Sequence, residues 1–333
     1  MTRLTLRAFP LAALTLALAG CGGNQNTLAP KGKPEHAISH LWWWTMTGAW
    51  IGFAVVCGLL FLGWLRRNRT ELPFGGDDKV GTVLVIGLGV AVPLVVLSLL
   101  FIWSDIVVLR STAAPAHGST RLTVRVIGHQ WWWEVRYDGS KAVTANEIHI
   151  PTGVPVQVIG TTNDVIHSFW IPQLNRKIDL IPGRSNRLLL EADSDGTYEG
   201  HCSEFCGLQH AHMTATVIAE PPAAFRAWLE NMAKPARTPA DAADKRGREV
   251  FLAQPCAACH SLRGSAANGR VGPDLTHLGT RRTLAAGTIP NDTEHLAGWI
   301  ADPQHAKPGN KMPTVQLTGT EFGDLLAYLE SLK

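Results

Sequence analysis

The segment Cys202-Ser203-Glu204-Phe205-Cys206-Gly207-Leu208-Gln209-His210-Ala211-His212-Met213 decides how this chain is read. Two cysteines four apart, a histidine four further on and a methionine three beyond that place thiolate, imidazole and thioether in one short loop. Those donors suit copper, and none of them suits a hard cation. The flanks Gly196-Thr197-Tyr198-Glu199-Gly200 and Thr214-Ala215-Thr216-Val217-Ile218 have strand composition, so the segment is expected to join two strands. A C-x-x-x-C pair alone reads equally as a disulfide or as two buried thiols. His210 and Met213 at this spacing turn the reading toward a metal site.

Outward from the loop, short runs alternate apolar and polar residues at 122–127, 147–150, 154–159 and 186–190, punctuated by Pro, Gly and Asp. That pattern predicts an antiparallel sandwich. Residues 222–233 predict a helix with Phe225, Trp228, Leu229 and Met232 on one face. At 333 residues the chain is long enough for two or three domains. A formal net charge of +3 is too mild to argue for nucleic acid or an acidic partner.

Three further segments extend the pattern: Thr162-Asn163-Asp164-Val165-Ile166-His167-Ser168-Phe169-Trp170, Ile181-Pro182-Gly183-Arg184 and Gly128-His129-Gln130-Trp131-Trp132-Trp133. Together with the loop they resemble the binuclear copper A domain of cytochrome c oxidase subunit II, over roughly residues 120–230. The resemblance implies a cupredoxin-like Greek-key fold for residues 119–233. It implies that Cys202 and Cys206 bridge two copper ions. His167 and Met213 then complete one copper, and His210 with the backbone carbonyl of Glu204 completes the other. His201 and His212 are not ligands in the family pattern, and His167 on its own reads as a hydrogen-bonded loop histidine. The Glu204 carboxylate is implied to meet magnesium at the contact with subunit I, since magnesium prefers oxygen ligands and retains waters. Trp131 is implied as the point where electrons enter; an aromatic cluster packing the membrane-proximal surface is the reading for Trp132 or Trp133.

Residues 234–243, rich in Pro and Ala, read as a linker. Beyond them Cys256-Ala257-Ala258-Cys259-His260 is a c-type haem attachment sequence. C-x-x-C alone would also allow redox or zinc chemistry; the adjoining His260, in an exported chain, selects haem and becomes the proximal iron ligand. Met312, in Asn310-Lys311-Met312-Pro313, is the only methionine after the motif and is expected as the distal ligand. Ligation by His and Met raises the potential relative to two histidines, which suits an electron carrier. His277, His295 and His305 read as surface residues. Residues 244–333 resemble a class I cytochrome c, an all-α domain. Its first and last helices are expected near 244–253 and 320–332, with Gly272-Pro273-Asp274-Leu275 supporting the proximal side.

At the start of the chain, Arg3 and Arg7 precede an apolar run, and Leu18-Ala19-Gly20-Cys21 follows. Residues 1–20 therefore read as a signal peptide of lipoprotein type, with lipidation at Cys21, and 21–40 as a tether. Residues 41–110 read as a transmembrane helical hairpin, with apolar stretches at 41–65 and 80–109, each long enough to cross hydrocarbon. Arg66, Arg67 and Arg69 place the connecting loop in the cytoplasm, and Trp42, Trp43 and Trp44 mark the outer interface. Pro93 is tolerable if neighbouring groups re-satisfy the freed carbonyl. Of six cysteines, two fall in the copper loop, two in the haem motif and one in the lipobox, leaving Cys57 as an expected buried thiol. No pair remains for a disulfide, so the compartment is read from targeting signals. Many subunit II chains open the second helix with a glutamate; here Asp77-Asp78-Lys79-Val80-Gly81-Thr82 stands instead, and no proton-path residue is assigned.

A copper A domain fused to cytochrome c behind a membrane hairpin resembles the cytochrome-c-fused subunit II of a bacterial haem-copper oxidase. The resemblance implies an inner-membrane, multi-pass chain with both soluble domains on the periplasmic face. It implies electron flow from haem c to copper A and on to subunit I, where oxygen is reduced to water and protons are pumped. Implied partners are subunit I, subunit III and an external cytochrome c or similar donor. A flexible tether would set the donor's effective concentration in roughly the millimolar range. Alternatives are the copper A subunit of a nitric-oxide reductase and a non-catalytic copper-carrying membrane anchor. Nitrous-oxide reductase would need a propeller domain that is missing here, and quinol oxidase subunits lack the copper ligands.

Overall fold

The computed structural model describes residues 22–67, 78–116 and 119–333. The expected signal peptide, the lipidation site Cys21, and Arg69 and Asp77 lie outside the described residues. The chain divides into two units, residues 34–113 and the remainder.

The first unit carries two long apolar helices, α1 (Lys33–Arg66) and α2 (Lys79–Thr112). At 34 residues each is about 51 Å long, more than the roughly 30 Å of a hydrocarbon core. Helix α1 begins eight residues before the apolar run expected from residue 41, because Pro34 and Glu35 suit a first helical turn. Pro93 lies two residues beyond a π turn at Gly87–Ala91, a local widening of the kind that accommodates a residue without an N–H. Side chains such as Phe53, Leu60, Leu94 and Phe101 are exposed along both helices, an apolar surface suited to lipid. Cys57, expected to be buried, is exposed on this surface instead, because nothing among the described residues covers that stretch of α1.

In the second unit ten strands form two facing sheets: β1 (Leu122–His129), β2 (Trp132–Tyr137), β3 (Val143–Ala145), β4 (Glu147–Pro151), β5 (Val156–Thr162), β6 (His167–Trp170), β7 (Ile178–Leu180), β8 (Asn186–Leu190), β9 (Gly196–Cys202) and β10 (Thr214–Glu220). One sheet runs β3-β2-β1-β5-β8 and the other β4-β10-β9-β6-β7. The pairing is mixed rather than wholly antiparallel: β1 lies parallel to β5 and β4 to β10, because crossover connections bring non-consecutive strands together. Inward positions of alternating strands fill the core, among them Val124, Val126, Val135 and Leu188, each fully buried. Strand β2 was hidden in the aromatic run; its Trp133, expected at the surface, is fully buried and packs edge-on against Phe169 at 5.6 Å. Helix α3 (Pro222–Met232) closes one end by setting Phe225 and Trp228 on Tyr137.

The tether is clamped rather than loose at its end. Lys31 N–H donates to the Gln173 carbonyl at 2.8 Å, Asp193 N–H donates to the Lys31 carbonyl at 2.8 Å, and Lys33 pairs with Glu191. The start of the linker is held too: the Lys234 carbonyl accepts from Arg263 and from His277, and Ala236 N–H donates to the Arg263 carbonyl. His277 is therefore buried, not on the surface as its sequence context suggested.

The C-terminal domain is helical: α4 (Ala242–Ala253), α5 (Cys256–Cys259), α6 (Thr293–Ala301), α7 (Pro303–Ala306) and α8 (Gly319–Ser331), with a short hairpin Thr283–Leu284 and Ile289–Pro290. Asp241 caps α4, and a capping box of Thr318 and Glu321 starts α8. These helices cross at Gly247, where a Cβ would collide with the Asp324 carbonyl and meet the Tyr328 Cβ at 2.6 Å. Gly247→Val should therefore destabilise this domain by about 1–3 kcal/mol or more. Gly298→Ala, in open space on α6, should stabilise it by about 0.5–1 kcal/mol. Thermal unfolding followed by helical circular dichroism checks both, and equal melting temperatures would refute the crossing argument.

Candidate functional site

Strands β9 and β10 deliver the two ends of the soft-donor loop. The Cys202 N–H donates to the Met213 carbonyl at 2.9 Å, closing the loop base, and Ser203 N–H donates to the Ser168 carbonyl at 2.8 Å, tying it to β6. His167 is the first residue of β6, so a strand and not a free loop aims its ring. A 3-10 turn, His210–His212, then folds the descending arm back.

The donors converge. The ligand atoms of His167, Cys202 and Cys206 all lie within 4.8 Å of one another. Cys202 Sγ is 3.8 Å from His167 Nδ1 and 3.2 Å from the Glu204 carbonyl oxygen. Cys206 Sγ is 3.6 Å from His210 Nδ1 and 3.8 Å from Met213 Sδ. Both thiols are free, so the disulfide alternative falls away. Cys206 donating to Cys202 drives the Cys202 thiol down to about 3, and the same contact together with burial drives Cys206 up. Sulfurs this close hold one negative charge between them, and a second is admitted only with a cation. This donor chemistry fits copper.

Asp164, which the sequence reading passed over, orients the site. Its Oδ1 accepts from His167 Nε2 at 2.8 Å, leaving Nδ1 to face the sulfurs, and its Oδ2 accepts the Gln130 N–H at 2.7 Å. Burial favours the neutral acid, but these hydrogen bonds outweigh it and hold the carboxyl at about 2. Position i−3 to a ligand histidine in a loop was the available signal. Trp131 is half-buried and donates its indole N–H to the Cys206 carbonyl at 3.0 Å, while Gln130 Nε2 donates to the same oxygen at 2.8 Å. Trp132 stacks on His129 at 4.3 Å. Glu204 is exposed, beside Phe205 at 77% exposure.

In the helical domain Cys256, Cys259, His260 and Met312 line one apolar cleft, whose walls include Phe251 and Leu296. His260 Nδ1 donates to the Pro273 carbonyl at 2.7 Å, which leaves Nε2 as the free ring nitrogen. A side chain at Gly272 would collide with that imidazole, so glycine is required there. Arg281 also lines the cleft; it is buried, and its Nε has no hydrogen-bond partner. Its Nη2 donates to the Asp274 carbonyl, so a buried guanidinium with one donor left unmet on an apolar cleft fits a haem, whose carboxylates it would pair. Nothing in the Arg281-Arg282 pair signalled this. His277, His295 and His305 are not among the cleft-lining residues, and His295 pairs with Asp292.

The cleft is not closed by the helical domain alone. Gln130, Trp131 and Trp132 of the β domain contribute to its wall. A soft-donor loop on a β-sandwich joined to a c-type haem domain defines a class of electron-transfer proteins. The description "Cytochrome C oxidase subunit II, periplasmic domain" matches residues 140–220, and "Cytochrome c" matches residues 245–333. Cytochrome c oxidase subunit 2 of Alkalihalophilus pseudofirmus is 33% identical over 344 residues, covering 98% of this chain and 97% of that one. The Bacillus subtilis protein of the same name is 33% identical over 223 residues, covering 64% and 62%. A solved structure of the periplasmic domain of subunit II of cytochrome oxidase from Bradyrhizobium japonicum is 32% identical, covers 35% of this chain and 96% of that one, and has a TM-score of 0.34.

The chain belongs to the cytochrome c oxidase subunit 2 family, a part of the haem-copper oxidase complex. Membership implies a copper centre in the β domain, haem c in the helical domain, a membrane anchor and subunit I as partner. Asp164→Ala should lower copper affinity by about 10- to 100-fold. Competition against a copper chelator reads this out, and wild-type affinity would remove Asp164 as the residue that orients His167.

Proposed function

We propose that this chain is the subunit through which electrons enter a respiratory cytochrome c oxidase. Electrons would pass from haem c on residues 244–333 to a binuclear copper A centre on residues 119–233. They would continue to subunit I for oxygen reduction coupled to proton pumping. The observation that carries this reading is Trp131: one indole hydrogen-bonds the carbonyl of Cys206 and also walls the haem cleft. A residue reaching both sites gives a short through-bond route between two one-electron centres; a copper store or anchor has no use for one.

In this reading Cys202 and Cys206 would hold two coppers between them, with His167 and Met213 completing one and His210 with the Glu204 carbonyl the other. The convergence of these atoms supports that ligand set. The copper pair and the haem supply one-electron chemistry; the chain supplies rigidity. Cys256 and Cys259 attach the haem, with His260 and Met312 as axial ligands, supported by their shared cleft. The exposed Glu204 carboxylate is available to magnesium and subunit I. Subunit III and an external cytochrome c complete the proposed partners. The proposed location is the bacterial inner membrane, crossed by α1 and α2, with both soluble domains periplasmic and a lipid on Cys21 after removal of residues 1–20.

Oxygen and nitric-oxide consumption by the purified complex should be compared side by side. Oxygen uptake far above nitric-oxide uptake is expected, and the reverse would replace the oxidase with a nitric-oxide reductase. Trp131→Gln should slow copper reduction by about tenfold or more while leaving the copper absorption bands unchanged. Unaltered kinetics would remove Trp131 from the path.

A further inference from the structure

The haem domain meets the β domain along a polar seam made by two of its segments. In the hairpin segment, Arg282 N–H donates to Glu147 Oε1 at 2.7 Å, and Arg282 Nη1 donates to Thr197 Oγ1 at 2.8 Å. The Ala286 carbonyl accepts from Thr214 Oγ1 at 2.6 Å and from Thr214 N–H at 3.2 Å. In the segment after α7, Gln209 Nε2 donates to the Pro308 carbonyl at 2.8 Å.

Lys307 lies at the middle of this seam with 3% of its surface exposed. Its Nζ donates to the Trp131 carbonyl at 2.9 Å, the His212 carbonyl at 2.8 Å and the Ala285 carbonyl at 2.9 Å. An ammonium has three donors, and all three are used. Two acceptors belong to the β domain and one to the haem domain. They flank the soft-donor loop on one side and the haem cleft on the other. Burying an ammonium costs heavily unless its donors are met. A buried amine that takes two of its three partners from the other domain is a built contact, not incidental surface coverage.

A second observation points the same way. Ala285 and Ala286 are consecutive non-glycine residues in the left-handed region, at φ 50° and 58°. That conformation is unfavourable for alanine and persists only where surroundings impose it. It aims one carbonyl at Lys307 and the next at Thr214. The strained turn and the buried lysine are two halves of one device.

We propose that Lys307 is a positioning residue that pins the haem domain onto the Trp131 face of the copper domain, fixing the distance for electron transfer between them. The inference rests on the electron-relay reading above. The step it serves moves one electron: the haem iron goes from ferrous to ferric and the copper pair is reduced by one. No proton or leaving group is involved.

The test is Lys307→Met in the full-length chain within its complex, with Lys307→Gln as a second variant should the first fail to fold. Electrons are injected photochemically into the haem, and copper reduction is followed optically at several solvent viscosities. In the wild type the transfer should be independent of viscosity. In the variant it should slow by at least about tenfold and become viscosity-dependent, because the domains must now find each other. Haem and copper absorption bands should be unchanged, which a merely structural role for Lys307 would not allow. Hydrogen exchange supplies a readout free of redox chemistry. The Arg282 and Thr214 amides should exchange about tenfold faster in the variant. Wild-type transfer rates together with unchanged protection of those amides would overturn the proposal. A wild-type chain that passes no electron would end the relay reading instead, and the exchange measurement would then decide the docking by itself.

Discussion

One backbone closure underlies the site: the hydrogen bond from Cys202 N–H to the Met213 carbonyl, where β9 hands over to β10. It brings the two ends of the loop together, so that the sulfur and imidazole donors spread along its twelve residues converge to within a few ångströms. The bond from Ser203 to Ser168 then fixes this loop against the strand that begins with His167. The Cys206 carbonyl takes two donors from the turn between β1 and β2, carrying the same constraint to Trp131. Each later feature is braced on that frame. Rigid first contacts are what a copper centre needs if its geometry is to change little on gaining an electron.

The sequence made the donor set legible because soft ligands at fixed spacing have few other uses. The haem motif was legible for the same reason: cysteines and histidine in one short run admit few readings. Strands such as β1 and β8 were visible in their alternation, whereas β2 was masked by three consecutive tryptophans that carry no alternating pattern. Trp133 was misplaced accordingly, since only pairing with β1 and β3 shows that it faces inward. His277 was misread because its burial depends on the linker carbonyl of Lys234, distant in sequence. Arg281 and Lys307 escaped because each acts through main-chain groups or an unpaired donor. One-dimensional patterns do not encode those partners.

The seam between the domains alters how fusion works. A flexible tether would present the haem domain as a local solute, at an effective concentration in roughly the millimolar range. Here the start of the linker is held by Arg263 and His277, and the domain faces are joined by several direct hydrogen bonds. The two domains then form a single body, and the linker serves connection more than search. The end of the N-terminal tether is treated likewise, held by Lys31 and Lys33. Flexible composition did not translate into free chain, because backbone groups found partners on the neighbouring domain.

The acceptors in that seam are mostly main-chain oxygens: those of Trp131, His212, Ala285, Ala286 and Pro308. Amino-acid replacement leaves a peptide oxygen in place. The interface is therefore largely insulated from genetic drift on its acceptor side, and its vulnerability is concentrated in a few donor side chains. Docking then tolerates change at many positions of the seam, provided the backbone path and the side chains of Lys307, Arg282, Gln209 and Thr214 persist.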